Sequence, residues 1–339
     1  MAQLTDTHIS LAHGNGGRLM RELIEGLIAD CLGDRLLDIE NDAAAIEMNH
    51  DGAELLITTD GFTVKPLEFP GGDIGSLAVH GTVNDLAVSG AIPHYLTLNL
   101  FIEEGLELAL LQRLLSSLAD AAREAGVRIA CGDTKVVPRG EGSGVYFATT
   151  GVGLRARSLQ PGMSRIRPED TILVSGPVGD HGIAVMLARE QFGLRGEVRS
   201  DAASVLPLAQ AATELSGLRY MRDPTRGGLA TVLHEIQRAT GLGVRVQETG
   251  IPVREPVRSV CDILGYDPYY LACEGRIVAV IANEQAQTLL DTWQQLPGGE
   301  EAAIIGQLNR DDPCVVLETE LGGERALEEL EDDPLPRIC

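Results

Sequence analysis

The chain has 339 residues, of which 44% are hydrophobic and 23% charged. That composition excludes disorder as the main state, and the length predicts two domains of about 150 residues. Lys and Arg number 27 against 50 Asp and Glu, a net charge of −23. This argues against nucleic acid or anionic membrane as a partner, since both call for clustered positive charge. No apolar run reaches the roughly 18 residues of a membrane span, and Met1–Ser10 lacks a basic segment followed by an apolar one. The six cysteines, Cys31, Cys131, Cys261, Cys273, Cys314 and Cys339, make no CxxC pair. Reduced thiols in a cytoplasmic protein are expected, not a zinc site or a disulfide framework.

In chain order, residues 17–31 repeat Leu19, Leu23 and Leu27 at helical spacing. Ala53–Thr59 reads as a strand delivering Asp60 at its end. Ile74–Ser89 reads as a helix rich in small residues, so a neighbour must pack closely on it. His94–Phe101 alternates as a strand, and Glu107–Ala125 is an amphipathic helix stopped by Gly126. Val127–Ala130 and Val145–Gly151 are further strands. A Pro/Arg-containing connector over Leu159–Asp170 marks the domain boundary. Beyond it, Thr171–Val174 reads as a strand, Ser175–Gly182 as a glycine loop and Ile183–Gln191 as a helix. Helices are predicted over Ala202–Ser216, Gly228–Thr240, Pro256–Leu264 and Glu284–Gln295. Val244–Gln247 is a strand, and Leu271–Ala282 a strand pair broken at Glu274-Gly275. Acidic residues and two prolines over 328–339 predict a tail. The fold class is α/β (α+β), with domains over 1–158 and 159–327 and the tail over 328–339.

Several residues are candidates for chemistry. His13-Gly14-Asn15-Gly16-Gly17 opens the first helix with glycines whose free N–H groups suit a phosphate, or form a flexible turn. Asp42, Asp60, Asp85 and Asp133 sit where elements are expected to end or turn. Each alone reads as a turn or cap residue; together they are hard oxygen ligands of the kind Mg²⁺ uses to bridge nucleotide phosphates. Asp85 stands out, a carboxylate amid small and apolar residues with no reason to be there unless paired. Lys135 is either a phosphate-holding or proton-carrying cation or a solvated lysine. Asp223-Pro-Thr225-Arg226-Gly-Gly is a second candidate phosphate cradle or a plain loop. Glu274 is a hairpin-turn residue or a buried proton acceptor. Cys339, last in the sequence on a short tail, is accessible enough to be carried into a site.

Joined to the final Pro336-Arg-Ile-Cys339, these motifs make the sequence closely similar to the HypE hydrogenase-maturation family of the PurM-like (aminoimidazole ribonucleotide synthetase) superfamily. The motifs that carry the likeness are His13–Gly17, Asn41–Ala44, Thr59–Gly61, Val83-Asn84-Asp85, Gly132–Lys135, Asp223–Gly228 and Glu274-Gly275. The resemblance spans essentially the whole chain. It implies a two-domain PurM-like fold, an N-terminal ATP-binding domain that dimerises through sheet strands, and a C-terminal α/β domain. It also implies that HypF carbamoylates the terminal cysteine, that the chain dehydrates the group to a thiocyanate with ATP, and that a HypC–HypD complex receives the cyanide for the iron of [NiFe] hydrogenase. By that resemblance ATP lies against His13, Gly14, Asn15, Gly16, Gly17, Asn84, Lys135, Asp223 and Thr225. Mg²⁺ lies on Asp42, Asp60, Asp85 and Asp133, while Lys135 and Glu274 handle the amide protons of Cys339.

The chemistry suits these residue types. A thiocarbamate loses its oxygen poorly until ATP phosphorylates it, and a base must take protons from the nitrogen. Selenophosphate synthetase would want a reactive cysteine where this chain has His13 and Asn15. A thiamine-phosphate kinase or purine-pathway synthetase has no use for a terminal cysteine, and an acidic scaffold docking its tail on basic partners has no use for ATP.

Overall fold

The computed structural model describes residues 18–23, 25, 44–50, 52–189 and 197–330. The first unit runs α1 (Arg18–Leu23), β1 (Ala44–His50), β2 (Ala53–Phe62), β3 (Glu68–Phe69), β4 (Gly72–Asp73), α2 (Ile74–Val88), β5 (Ile92–Glu103), α3 (Leu108–Glu124), β6 (Arg128–Val137) and β7 (Val145–Ala156). Among the described residues, five strands make a sheet in the order β1-β2-β7-β5-β6. Its pairs are antiparallel except β5–β6, which are parallel and need the α3 crossover between them. Asp73 caps α2 by accepting from the Gly75 and Ser76 N–H groups, and Ser76 Oγ accepts from the Asp73 N–H in return. The small residues of α2 are explained by its neighbours: a Cβ on Gly75 would run into the Leu114 carbonyl of α3, and one on Gly81 into the Phe62 ring.

The second unit runs β8 (Thr171–Val174), α4 (Asp180–Ala188), α5 (Leu206–Thr213), β9 (Leu218–Arg222), α6 (Gly228–Thr240), β10 (Gly243–Gln247), α7 (Glu255–Leu264), β11 (Val278–Ile281), α8 (Asn283–Trp293), β12 (Ala303–Asn309), β13 (Val315–Glu318) and β14 (Glu324–Ala326). Its described strands form a seven-stranded sheet ordered β14-β13-β10-β12-β8-β11-β9. Leu229, Leu233 and Ile236 of α6 cover one face with Val174, Val246 and Val280. Leu208 of α5 and Leu289 and Trp293 of α8 cover the other with Leu173, Ala279 and Ile281. Covering both faces explains why β8 and β11 are buried at every position and read as unbroken apolar runs. The units also share a core in which Leu77, Leu96 and Phe147 join Ile183, Val185 and Val257. The two units are therefore packed directly on one another.

Several elements differ from the sequence reading. β2 continues past Thr59 because β7 keeps pairing with it to Phe62↔Phe147, so Asp60 lies within the strand. β6 runs to Val137 because its parallel partner β5 continues to Glu103, and Asp133 and Lys135 are strand residues, not residues beyond a strand. The helix expected from Ala202 begins at Leu206, with Pro207 in its first turn. The glycine loop ends earlier than expected, since α4 starts at Asp180 behind Gly179 at φ +87°. The segment before Glu274 is no strand: the Gly182 N–H donates to Ala272 O and the Cys273 N–H to Pro224 O, so these groups serve loops and not a ladder.

Candidate active site

Asp60 lies on β2, and α2, which packs against that strand, carries Asp85. The Thr58 hydroxyl donates to Asp85 Oδ2 at 2.9 Å, which accounts for a carboxylate in the middle of that helix. Asp60 Oδ1 accepts from the Gly61 N–H at 2.7 Å and stands 3.6 Å from Arg226 Nη2 of the second unit. Burial pushes the Asp60 carboxyl upward, opposed by the Arg226 charge and the Gly61 N–H.

Asn84, one residue before Asp85, is buried, and its side chain ties the two units together. Its Nδ2 donates to Ala203 O and to Glu274 O, both at 3.0 Å. Its Oδ1 accepts from the Val205 N–H at 2.9 Å. Both amide hydrogens are thus engaged by the second unit, a clamp that the sequence reading of Asn84 as an ATP contact did not foresee.

The Asp223–Gly228 turn enters the cleft from β9. The Thr225 N–H donates to Asp223 O at 3.0 Å and the Gly228 N–H to Thr225 O at 3.1 Å. Gly228, at φ +60°, opens α6 so close to residues 269–271 that a Cβ would strike the Leu271 and Tyr269 carbonyls. Asp223 is 4% exposed and Glu274 also 4%. The Glu274 carboxyl is raised well above the ordinary range, first by burial and then by the negative Asp223, Asp60 and Asp201, with Arg226 opposing. Glu274 is therefore a buried carboxyl in an acidic cluster, not a hairpin turn. Its neighbour Cys273 is fully buried, with burial pushing the thiol up, so it is no nucleophile.

The structure does not bring every candidate to this place. Lys135 Nζ pairs with Asp133 Oδ2 at 2.8 Å, both exposed on β6, with β7 and β5 between that strand and β2. At about 4.8 Å per strand, this puts them on the order of 14 Å across the sheet from Asp60. His13, Gly14, Asn15, Gly16, Gly17, Asp42 and Cys339 lie outside the described residues. Among the described residues, no three His, Cys, Asp or Glu side chains form a metal-ligating group. The carboxyls that do lie near one another, Asp60, Asp223 and Glu274, offer hard oxygens, a donor type that fits Mg²⁺ better than a softer metal.

The motif reading leaves Arg226 without a role of its own and the tail from residue 328 without an anchor. The Tyr270 hydroxyl donates to Glu328 O at 2.7 Å, His234 Nε2 donates to Leu327 O at 2.8 Å, and Glu329 pairs with Arg21 and Arg238. Leu330 O accepts from the Arg18 N–H at 3.0 Å, and a Cβ on Gly227 would touch the Leu330 side chain at 3.4 Å.

Comparison with known proteins now bears on this geometry. Residues 40–155 match the N-terminal domain of AIR synthase related proteins and residues 167–317 their C-terminal domain. A hydrogenase expression/formation protein HupE of Azotobacter chroococcum is 46% identical over 99% of this chain and 98% of the relative. The carbamoyl dehydratase HypE of Azotobacter vinelandii is 45% identical over the same shares. Among solved structures, a HypE–HypF complex superposes with a TM-score of 0.86 at 40% identity, covering 91% of this chain and 99% of that one. HypE in complex with ATP does so at 0.81 and 43% identity, covering 98% and 100%. Similarity of this extent, carried by both domains, makes the chain a member of the carbamoyl dehydratase HypE family of AIR-synthase-related proteins.

Proposed function

We propose that the chain dehydrates an S-carbamoyl group on its own Cys339 to a thiocyanate, with ATP taking up the oxygen. The observation that carries this reading is the position of the tail root. Leu330 packs on Gly227, the neighbour of the Arg226 that pairs with Asp60. Nine residues, Glu331 to Cys339, span up to roughly 30 Å extended, enough to return the sulfur to the cleft.

In balanced form, the carbamoyl oxygen attacks the γ-phosphoryl group of ATP, ADP leaves, and the nitrogen gives up one proton. The second proton leaves as the C–O bond breaks, producing S–C≡N and inorganic phosphate. Glu274 is the acceptor we assign to the nitrogen, because a carboxylate whose affinity for protons is raised is the stronger base. In this reading the glycines of His13–Gly17 offer N–H groups to phosphate, and Asp223 and Thr225 meet the nucleotide through their side chains. Mg²⁺ held by Asp42, Asp60 and Asp85 would neutralise phosphate charge.

The solved HypE–HypF complex supports HypF as a partner, which we assign as the carbamoyl donor; a HypC–HypD complex as the cyanide acceptor and the cytoplasm as the place complete the proposal. The homodimer is supported by the β6 edge and by exposed Tyr95, Phe101, Ile129 and Val136 on β5 and β6. In that dimer Asp133 and Lys135 lie at the join between copies, and Lys135 reaches the chemistry from there.

Intact-mass measurement after incubation with HypF, carbamoyl phosphate and ATP is the test. The carbamoylated chain should lose the mass of one water, and Cys339→Ala should bind ATP yet never gain either group. A carbamoylated chain that stays unchanged with ATP, or a Cys339→Ala chain that still becomes modified, overturns the proposal.

A further inference from the structure

Glu274 is fixed by groups from outside its own segment. Its N–H donates to Asp201 Oδ1 at 3.1 Å, and its carbonyl accepts from Asn84. The Asp201 side chain is fully buried, and its second oxygen stands 3.3 Å from Arg276 Nε, two residues beyond Glu274. Arg276 is itself held: Nε donates to Pro177 O at 2.9 Å and Nη1 to Gly298 O at 3.2 Å, while Nη2 faces Asp180 at 3.6 Å. Between the two, Gly275 leaves no room for a side chain, since a Cβ would run into the Asp201 carbonyl. One buried carboxylate thus takes a hydrogen bond from Glu274 and faces the Arg276 charge at the other end of the Glu-Gly-Arg segment.

The strap that carries Asp201 is anchored in both units. The Ser200 N–H donates to Pro70 O at 2.7 Å, and Ser200 Oγ lies 2.8 Å from His181 Nδ1. Ala203 O and the Val205 N–H are taken by Asn84. Asn84 adjoins Asp85, so the element that presents Asp85 also fixes the far end of the strap and the Glu274 carbonyl.

We propose that Asp201, braced by Arg276, is a positioning residue that aims the Glu274 carboxyl at the reacting nitrogen by holding the Glu274 peptide in register with the Asn84–Asp85 turn of α2. This rests on the reading that Glu274 accepts the proton. A carboxylate there only to neutralise Arg276 would matter for folding and not for turnover, and the two roles separate experimentally.

Asp201→Ala removes the acceptor, whereas Asp201→Asn keeps an oxygen for the Glu274 N–H. On purified carbamoylated protein, Asp201→Ala should lower kcat for dehydration by about tenfold or more, as a displaced group does. KM for ATP should stay within about twofold, and Asp201→Asn should recover most of the loss. Hydrogen exchange at the Glu274 amide should quicken in Asp201→Ala. In a Glu274→Gln background, Asp201→Ala should cost nothing further. Should Asp201→Ala fail to fold, Asp201→Glu replaces it: it keeps the charge for Arg276 but moves the acceptor by one methylene, and should lose kcat alone. Unchanged kcat, equal losses in the Ala and Asn variants, or effects that multiply with an impaired Glu274→Gln overturn the positioning role only. A fully active Glu274→Gln overturns the Glu274 reading, and this one with it.

Discussion

Ionising Glu274 puts a negative charge beside Asp223, Asp60 and Asp201 with almost no solvent, and the fold bears that cost. The sign follows from linkage. A carboxyl raised on folding keeps in the native state a proton that the unfolded chain has released, so stability falls as pH rises from about 4.5 through the folded pKa. Glu274→Gln should therefore raise the thermal midpoint at pH 8 and leave it nearly unchanged at pH 4. Melts that show no gain at pH 8 would mean that the native carboxyl is not raised. Sequence made Glu274 a candidate because a lone acid interrupted an apolar run, and Asp85 because it lacked a local reason. Asp201 carried no such signal, and Arg226 only its place in the Asp223–Gly228 motif: what they do depends on partners more than 70 positions away in the chain.

Gly275 matters to the geometry of its segment. Gly275→Ala should destabilise by more than about 2 kcal/mol, the cost of overpacking against a backbone atom that has no room to move, and denaturant titration would measure it. A loss within about 0.5 kcal/mol, the neutral range for surface changes, would mean that the Asp201 strap yields. Among elements, the helices were legible because their apolar spacing is local, as in α3, α6 and α7. The lengths of β2 and β6 were not. Each continues only because a partner strand from elsewhere in the sequence goes on pairing, and the polar Asp60, Asp133 and Lys135 look like strand ends until that partner is known.

For the whole molecule, two domains were foreseeable from length and their AIR-synthase-related fold from the family resemblance of the motifs, whereas the core they share was not. Which side chains meet between the units was not foreseeable either, since Asn84 and Arg226 find their partners in the other unit. The β6 edge is the place to test assembly. Ile129→Asp with Val136→Asp puts charge on two exposed apolar side chains of that strand and should yield monomers by analytical ultracentrifugation. Because Lys135 lies on the same strand, the monomers should bind ATP yet fail to dehydrate the tail. Monomers with full activity would confine the chemistry to one chain.

The anchoring of Leu327–Leu330 to Tyr270, His234, Arg21 and Arg238 makes the proposed carrier a courier on a short leash. In the proposed cycle the sulfur would visit a donor, its own active site and an acceptor from one fixed post. A protein that loads it and a protein that unloads it must therefore come to the same shoulder of the molecule, and with so little ground there they would take turns. The order of the hand-over would then follow from crowding at the leash and need no separate signal.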